Sequence, residues 1–174
     1  MRSCRMLRRS YRRRHRDATA DEIEELRAIR DDLGSVNTPE SIDTTRYGVD
    51  RSERAPFEAA GWRFVETGRA TAKATQDPRL SLARVLRLPG GRLALSSGRV
   101  TAKFKENVSQ ESIEQLLEPF ALERLEPLPI ATHLYTLQVR SSSSPDEFEL
   151  AATLSQADDV EFAEPELIED IGDR

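Results

Sequence analysis

The sequence predicts an α+β fold for its C-terminal part. Strand-type alternation recurs at residues 100–105 and 135–139, helix-period apolar stripes lie at 109–120 and 144–154, and the two kinds of segment follow one another with one sheet face left polar. The chain has 174 residues, enough for one ordinary domain with appendages or for two small ones. With 33% charged residues and a mean hydropathy of −0.60, its core has to be modest.

Charge is unevenly placed. Residues 1–17 hold eight arginines against one acid, which leaves 18 basic and 30 acidic side chains and a net charge of about −12 for the remainder. The segment 1–17 reads as a disordered arginine-rich tail. Its Arg8-Arg9 pair is followed by Tyr11 and three more arginines where an export signal needs apolar residues, so no signal peptide is visible. Clustered arginines can bind phosphates, but no aromatic platform accompanies them and the body is acidic, so a nucleic-acid partner is not expected. No run is apolar enough to span a membrane, and the single cysteine, Cys4, closes no disulfide within the chain.

Residues 18–61 are expected to form one helix and a linker. Thr19 and Glu22 fit a capping box, and Ile23, Leu26, Ile29 and Leu33 form one stripe before Gly34, which predicts a helix over 20–33. From Ser35 to Gly61 no period holds, and the segment reads as largely irregular. Residues 62–98 are expected as a strand and hairpin: a short strand at 62–65, then the apolar runs 82–88 and 92–95 meeting at Pro89-Gly90-Gly91.

Residues 99–174 carry the densest pattern. Val100, Ala102 and Phe104 alternate inward against Arg99, Thr101, Lys103 and Lys105. Ser109 is an N-cap for a helix whose stripe is Ile113, Leu116, Leu117 and Phe120, with Pro119 ending it near Glu118. A second strand follows at 122–128 and a third with Tyr135, Leu137 and Val139 inward. Ser144 and Pro145 open a second helix with Leu150, Ala151 and Leu154 buried and Phe148 on its shoulder. Val160 and Phe162 close a fourth strand ending near Ala163. The order βαββαβ with one polar face predicts an open-faced sandwich of ferredoxin-like order.

This order of elements, with the lysine-bearing strand at 100–105 and the closing Val160-Glu161-Phe162-Ala163-Glu164-Pro165, resembles the propeptide, or inhibitor domain, of subtilisin-type serine proteases. The resemblance spans residues 99–168 and does not extend to the protease itself. It implies a small domain that sits on the protease and lays its C-terminal tail in the substrate cleft, inhibiting the enzyme or assisting its folding. The protease-binding tail would be Glu164, Pro165, Glu166, Leu167, Ile168 and Ile171, and the docking surface the polar sheet face of Thr101, Lys103, Thr136 and Gln138. Extended peptides bind such clefts by adding a strand, so main chain supplies affinity and alternate side chains supply specificity. The family is usually exported, but the sequence leaves the compartment open.

Catalysis by the chain itself is not expected. Asp43-Thr44-Thr45 lacks the glycine of the family's Asp frame, His15 and His133 lack its His frame, and Ser141–Ser144 lies in no nucleophile turn. Neither a metal nor a cofactor is expected, because no Cys/His cluster or calcium-loop spacing occurs. Two rival readings remain: the N-terminal prodomain fragment of a secreted subtilisin-type protease, and a ferredoxin-like module binding RNA or a small effector. The second would need aromatic residues on the open face, whereas the alternation turns Phe104 and Tyr135 inward.

Overall fold

Val100, Ala102 and Phe104 lie without exposure in the middle of a hydrophobic cluster, and the strand that carries them organises the chain. The computed structural model describes residues 7–10, 20–32, 39–77, 79–120, 122, 124–139 and 146–170. Among these residues the strands are β1 (Leu7–Ser10), β2 (Asp21–Asp31), β3 (Arg63–Glu66), β4 (Leu80–Arg87), β5 (Leu93–Phe104), β6 (Arg124–Pro127), β7 (Leu134–Gln138) and β8 (Val160–Glu169). The helices are α1 (Arg51–Ala59), α2 (Thr67–Gln76), α3 (Gln110–Leu117) and α4 (Glu147–Leu154). The protein is α+β with an open, mostly antiparallel sheet. It divides into two compact units, one built on residues 20–97 with 167–170, the other on 98–166.

In the first unit the strand order is β5-β4-β2-β3. Leu26 and Ala28 of β2 join Phe57 of α1, Trp62, Phe64, Ala83, Val85, Leu95 and Ile168 in one cluster, while Ile29 joins Val65 and Ala70 of α2 in another. Successive strand residues thus feed opposite faces. Residues 20–33, expected as a helix, contain β2 instead. The stripe Ile23-Leu26-Ile29 satisfies a helical period, but pairing with β3 on one side and β4 on the other makes this the middle of a sheet, and tertiary pairing overrides a weak local preference.

The expected linker also corrects to ordered structure. Asp50 and Glu53 form a reciprocal capping box that starts α1, and Phe57 anchors it in the core. The polar interval before β4 holds α2, whose Thr71 and Thr75 hydroxyls donate back to Thr67 and Thr71 carbonyls at 2.9 Å. The hairpin at 80–104 is present, with Gly90 and Gly91 at positive φ in its turn, and its second arm is continuous with the strand expected separately at 100–105. Arg87 ties the turn region together: it donates to Glu53, to the Gly91 carbonyl at 2.7 Å and to the Gly48 carbonyl.

In the second unit the order is β8-β5-β7-β6, with α3 following β5 and α4 following β7. Contacts of Lys105 with Asp159 and of Thr101 with Glu166 run in opposite senses, so β8 is antiparallel to β5. Val100, Ala102, Phe104, Tyr135, Leu137 and Val139 face Ile113, Leu117, Leu150, Ala151 and Leu154, and Phe104 meets Tyr135 edge-on at 5.8 Å. Ser109 caps α3 as expected, accepting from the Ser112 amide. The cap of α4 is Asp146, which accepts from the Phe148 and Glu149 amides at 2.9 Å; Ser144 and Pro145 lie outside the described residues. The closing strand, expected to end near Ala163, continues to Glu169. Leu7–Ser10 of the supposed tail is a strand in the order next to β8, and the rest of residues 1–17 lies outside the described part.

Two predictions follow from this packing. Phe104→Ala removes a fully buried ring and is expected to cost about 3–5 kcal/mol, whereas Leu116→Ala, at a half-buried site, is expected to cost about 1–2 kcal/mol; chemical denaturation of both variants measures the difference. The hydrogen bond from Arg87, then that from the Asp50 amide, holds the Glu53 carboxyl below the usual glutamate range. A folded pKa below the unfolded value gives stability that is present above the unfolded pKa and lost as pH falls through the folded one. Melting temperature against pH is therefore expected to fall on acidification through that range, and Glu53→Gln to flatten the fall.

Candidate functional site

The polar face of the second unit is assembled by strand register. Thr101 of β5 stands opposite Thr136 of β7, Arg99 opposite Gln138, and Lys103 opposite Leu134, so Thr101, Lys103, Thr136 and Gln138 share one face away from the α3 and α4 cluster. β6 adds Glu126 opposite Thr136. All four expected docking residues are half-buried.

The polar side chains of Thr101, Lys103 and Gln138 are already engaged. Thr101 Oγ1 donates to Glu166 Oε1 at 2.9 Å, Arg99 Nε to Gln138 Oε1 at 3.2 Å, and Gln138 Nε2 to the Val139 carbonyl at 3.1 Å. Lys103 Nζ donates to the Thr132 carbonyl. The face therefore presents donors held in fixed orientations by internal bonds. Glu166, assigned by the sequence to the tail, belongs to this face.

Gly98 closes the face at one end. Its φ is 77°, and a Cβ there would approach Gln138 Nε2 to 3.1 Å and the Val139 carbonyl oxygen to 3.2 Å, while its own carbonyl accepts from the Val139 amide at 2.9 Å. A glycine inside a strand was the available signal for such a close approach.

The expected tail residues are strand residues. Glu164 and Glu166 are half-buried, Pro165 is buried, Leu167 has 0% exposure and Ile168 8%. Ile168 packs with the first unit's cluster, and Glu169 pairs with Arg92 at 2.9 Å. Ile171 lies outside the described residues. Leu167 and Ile168, two of the side chains expected to fill pockets in a protease, are buried within this chain, which is the physical reason residues 164–169 do not stand free.

His133 lies in the β6–β7 turn at φ 55°, and its Nδ1 donates to the Lys105 carbonyl at 3.1 Å. His15 and Ser141–Ser144 lie outside the described residues. Among the described residues no group of three or more His, Cys, Asp or Glu side chains is placed to hold a metal ion, and no helix is long and apolar enough to cross a membrane. Large apolar side chains do reach solvent on the second unit: Ile130 at the tip of the β6–β7 turn is 83% exposed, and Leu125 and Phe162 are partly exposed. Comparison of the chain with protein-family models, with curated proteins and with solved structures finds no match.

The geometry at Gly98 generates a third prediction. Gly98→Ala is expected to destabilise the protein by about 1–3 kcal/mol, from the strained φ and the crowding of Gln138 together. Gln138→Ala removes the side-chain part of the crowding, so in a urea melt Gly98→Ala is expected to cost less in a Gln138→Ala background than in the wild type.

Proposed function

We propose that this protein is a non-enzymatic, propeptide-like docking protein that inhibits, or assists the folding of, a subtilisin-type serine protease. The single observation that carries the reading is the second unit's strand order. Written by position along the βαββαβ sequence, β8-β5-β7-β6 is fourth, first, third, second, with two helices on one face and a polar face opposite. That order supports a ferredoxin-like sandwich, the arrangement implied by the resemblance at residues 99–168.

The mechanism is occlusion. The face of Thr101, Lys103, Thr136 and Gln138 sets the orientation on the protease, and the segment Glu164 to Ile171 supplies an extended strand to the cleft. An interface of roughly 800 Å² per partner is ordinary for a protease and its inhibitor. The RNA-binding alternative is less well supported, because Phe104 and Tyr135 are stacked under the helices rather than offered to bases.

Titrating subtilisin with the full chain and measuring residual activity on a peptide substrate tests the proposal. Saturable inhibition is expected, weakened at least tenfold by the pair Lys103→Glu and Thr136→Glu, which places two acids on the face. Full activity at every ratio, across a panel of subtilisin-type enzymes, would remove the protease as partner.

A further inference from the structure

An extended segment cannot give its main-chain groups to two partners at the same time. β8 stands between the four-residue β1 and the long β5 in the strand order, so the sheet already engages its main chain. Adding a strand to a protease cleft requires a free edge. Side chains hold the same segment. Glu166 accepts from Thr101, Glu169 pairs with Arg92, Leu167 has no exposure, and Ile168 belongs to the cluster of Leu26, Phe57, Trp62 and Phe64.

We infer that the distal half of β8, residues 164–169, is a latch: in the free protein it is held in the sheet, and it leaves the sheet before occupying a protease cleft, so the protein is a latent inhibitor. This rests on the protease-docking reading above. Each buried aliphatic side chain of this size holds the strand by on the order of tenfold or more in population. A segment released only a small fraction of the time binds with an apparent affinity reduced by that fraction. Loosening the latch without touching the tail therefore strengthens inhibition, the reverse of what loss of structure does to an ordinary binding surface. Arg92 is the place to loosen it, because its side chain is 64% exposed and its partner Glu169 is only 12% exposed.

The test uses the full chain and two readouts. Hydrogen exchange without protease is expected to show the amides of residues 166–169 protected a hundredfold or more. Arg92→Glu, which sets a like charge against Glu169, is expected to speed their exchange several-fold and to lower the inhibition constant on subtilisin by a similar factor. In a Cys4→Ser background, Thr101→Cys with Glu166→Cys replaces the hydrogen-bonded pair by one that can be cross-linked. The oxidised protein is expected to inhibit at least tenfold more weakly than the same protein reduced. Unprotected amides at 166–169, or equal inhibition by the oxidised and reduced forms, overturns the latch. Protected amides together with no inhibition of subtilisin by wild type, Arg92→Glu or the reduced cysteine pair overturns the docking reading, and with it the latch's role.

Discussion

One strand, β5, supplies both units, and the way it is buried sets the rest. Leu93, Ala94, Leu95 and Ser96 are buried in succession, as in a sheet covered on both faces; Val100, Ala102 and Phe104 are buried while Thr101 and Lys103 between them are not. A strand covered on both sides reads as a continuous run, and one covered on a single side alternates. The change of pattern falls at Gly98, with its positive φ, which is also where the chain passes from one compact unit to the other. Each half of β5 thus dictates a different environment. The first half sends Leu93 and Leu95 into the cluster of Phe57 on α1, in a sheet whose β2 also feeds a second cluster with Ala70 of α2, while the second half packs under α3 and α4 on one face.

This difference explains what could be read from the residues. In the second unit the signals agree with one another: Ser109 caps a helix whose stripe is buried, Phe104 and Tyr135 point to the helices, and the polar positions fall on one face in register. Local preference and tertiary demand coincide there, so alternation and period suffice. In the first unit they diverge. β2 carries a stripe that fits a helix, and nothing local announces that β3 and β4 will pair on either side of it. α2 buries only Ala70, so it has almost no apolar period to detect. α1 did carry a signal, Asp50 followed three residues later by Glu53, masked by the glycine, serine and threonine around it.

The candidate site divides in the same way. The polar face was legible because cross-strand register follows from alternation, and Thr101 with Thr136 emerges directly opposite. The state of residues 164–169 was not. Pro165, Leu167 and Ile168 give the same pattern whether they lie in a cleft of another protein or in a sheet of their own, since both demand an extended backbone with apolar side chains. What separates the two is the reach of β5 towards Leu93, which provides an edge for β8 beyond Ala163, and the cluster around Trp62 and Phe64 that accepts Ile168. Both are properties of distant sequence.

For the proposed function, the consequence is that folding and inhibition draw on the same contacts. The polar face offers donors already bonded within the protein, so it orients a partner more than it holds one. The apolar side chains able to fill protease pockets are those that complete the protein's own core. Binding strength is then a difference between two burials of Leu167 and Ile168, one internal and one in the cleft, and not the sum of the contacts made in the complex. A stronger internal strand makes a more stable protein and a weaker inhibitor, and substitutions that move the two quantities in opposite directions are the signature of a shared segment.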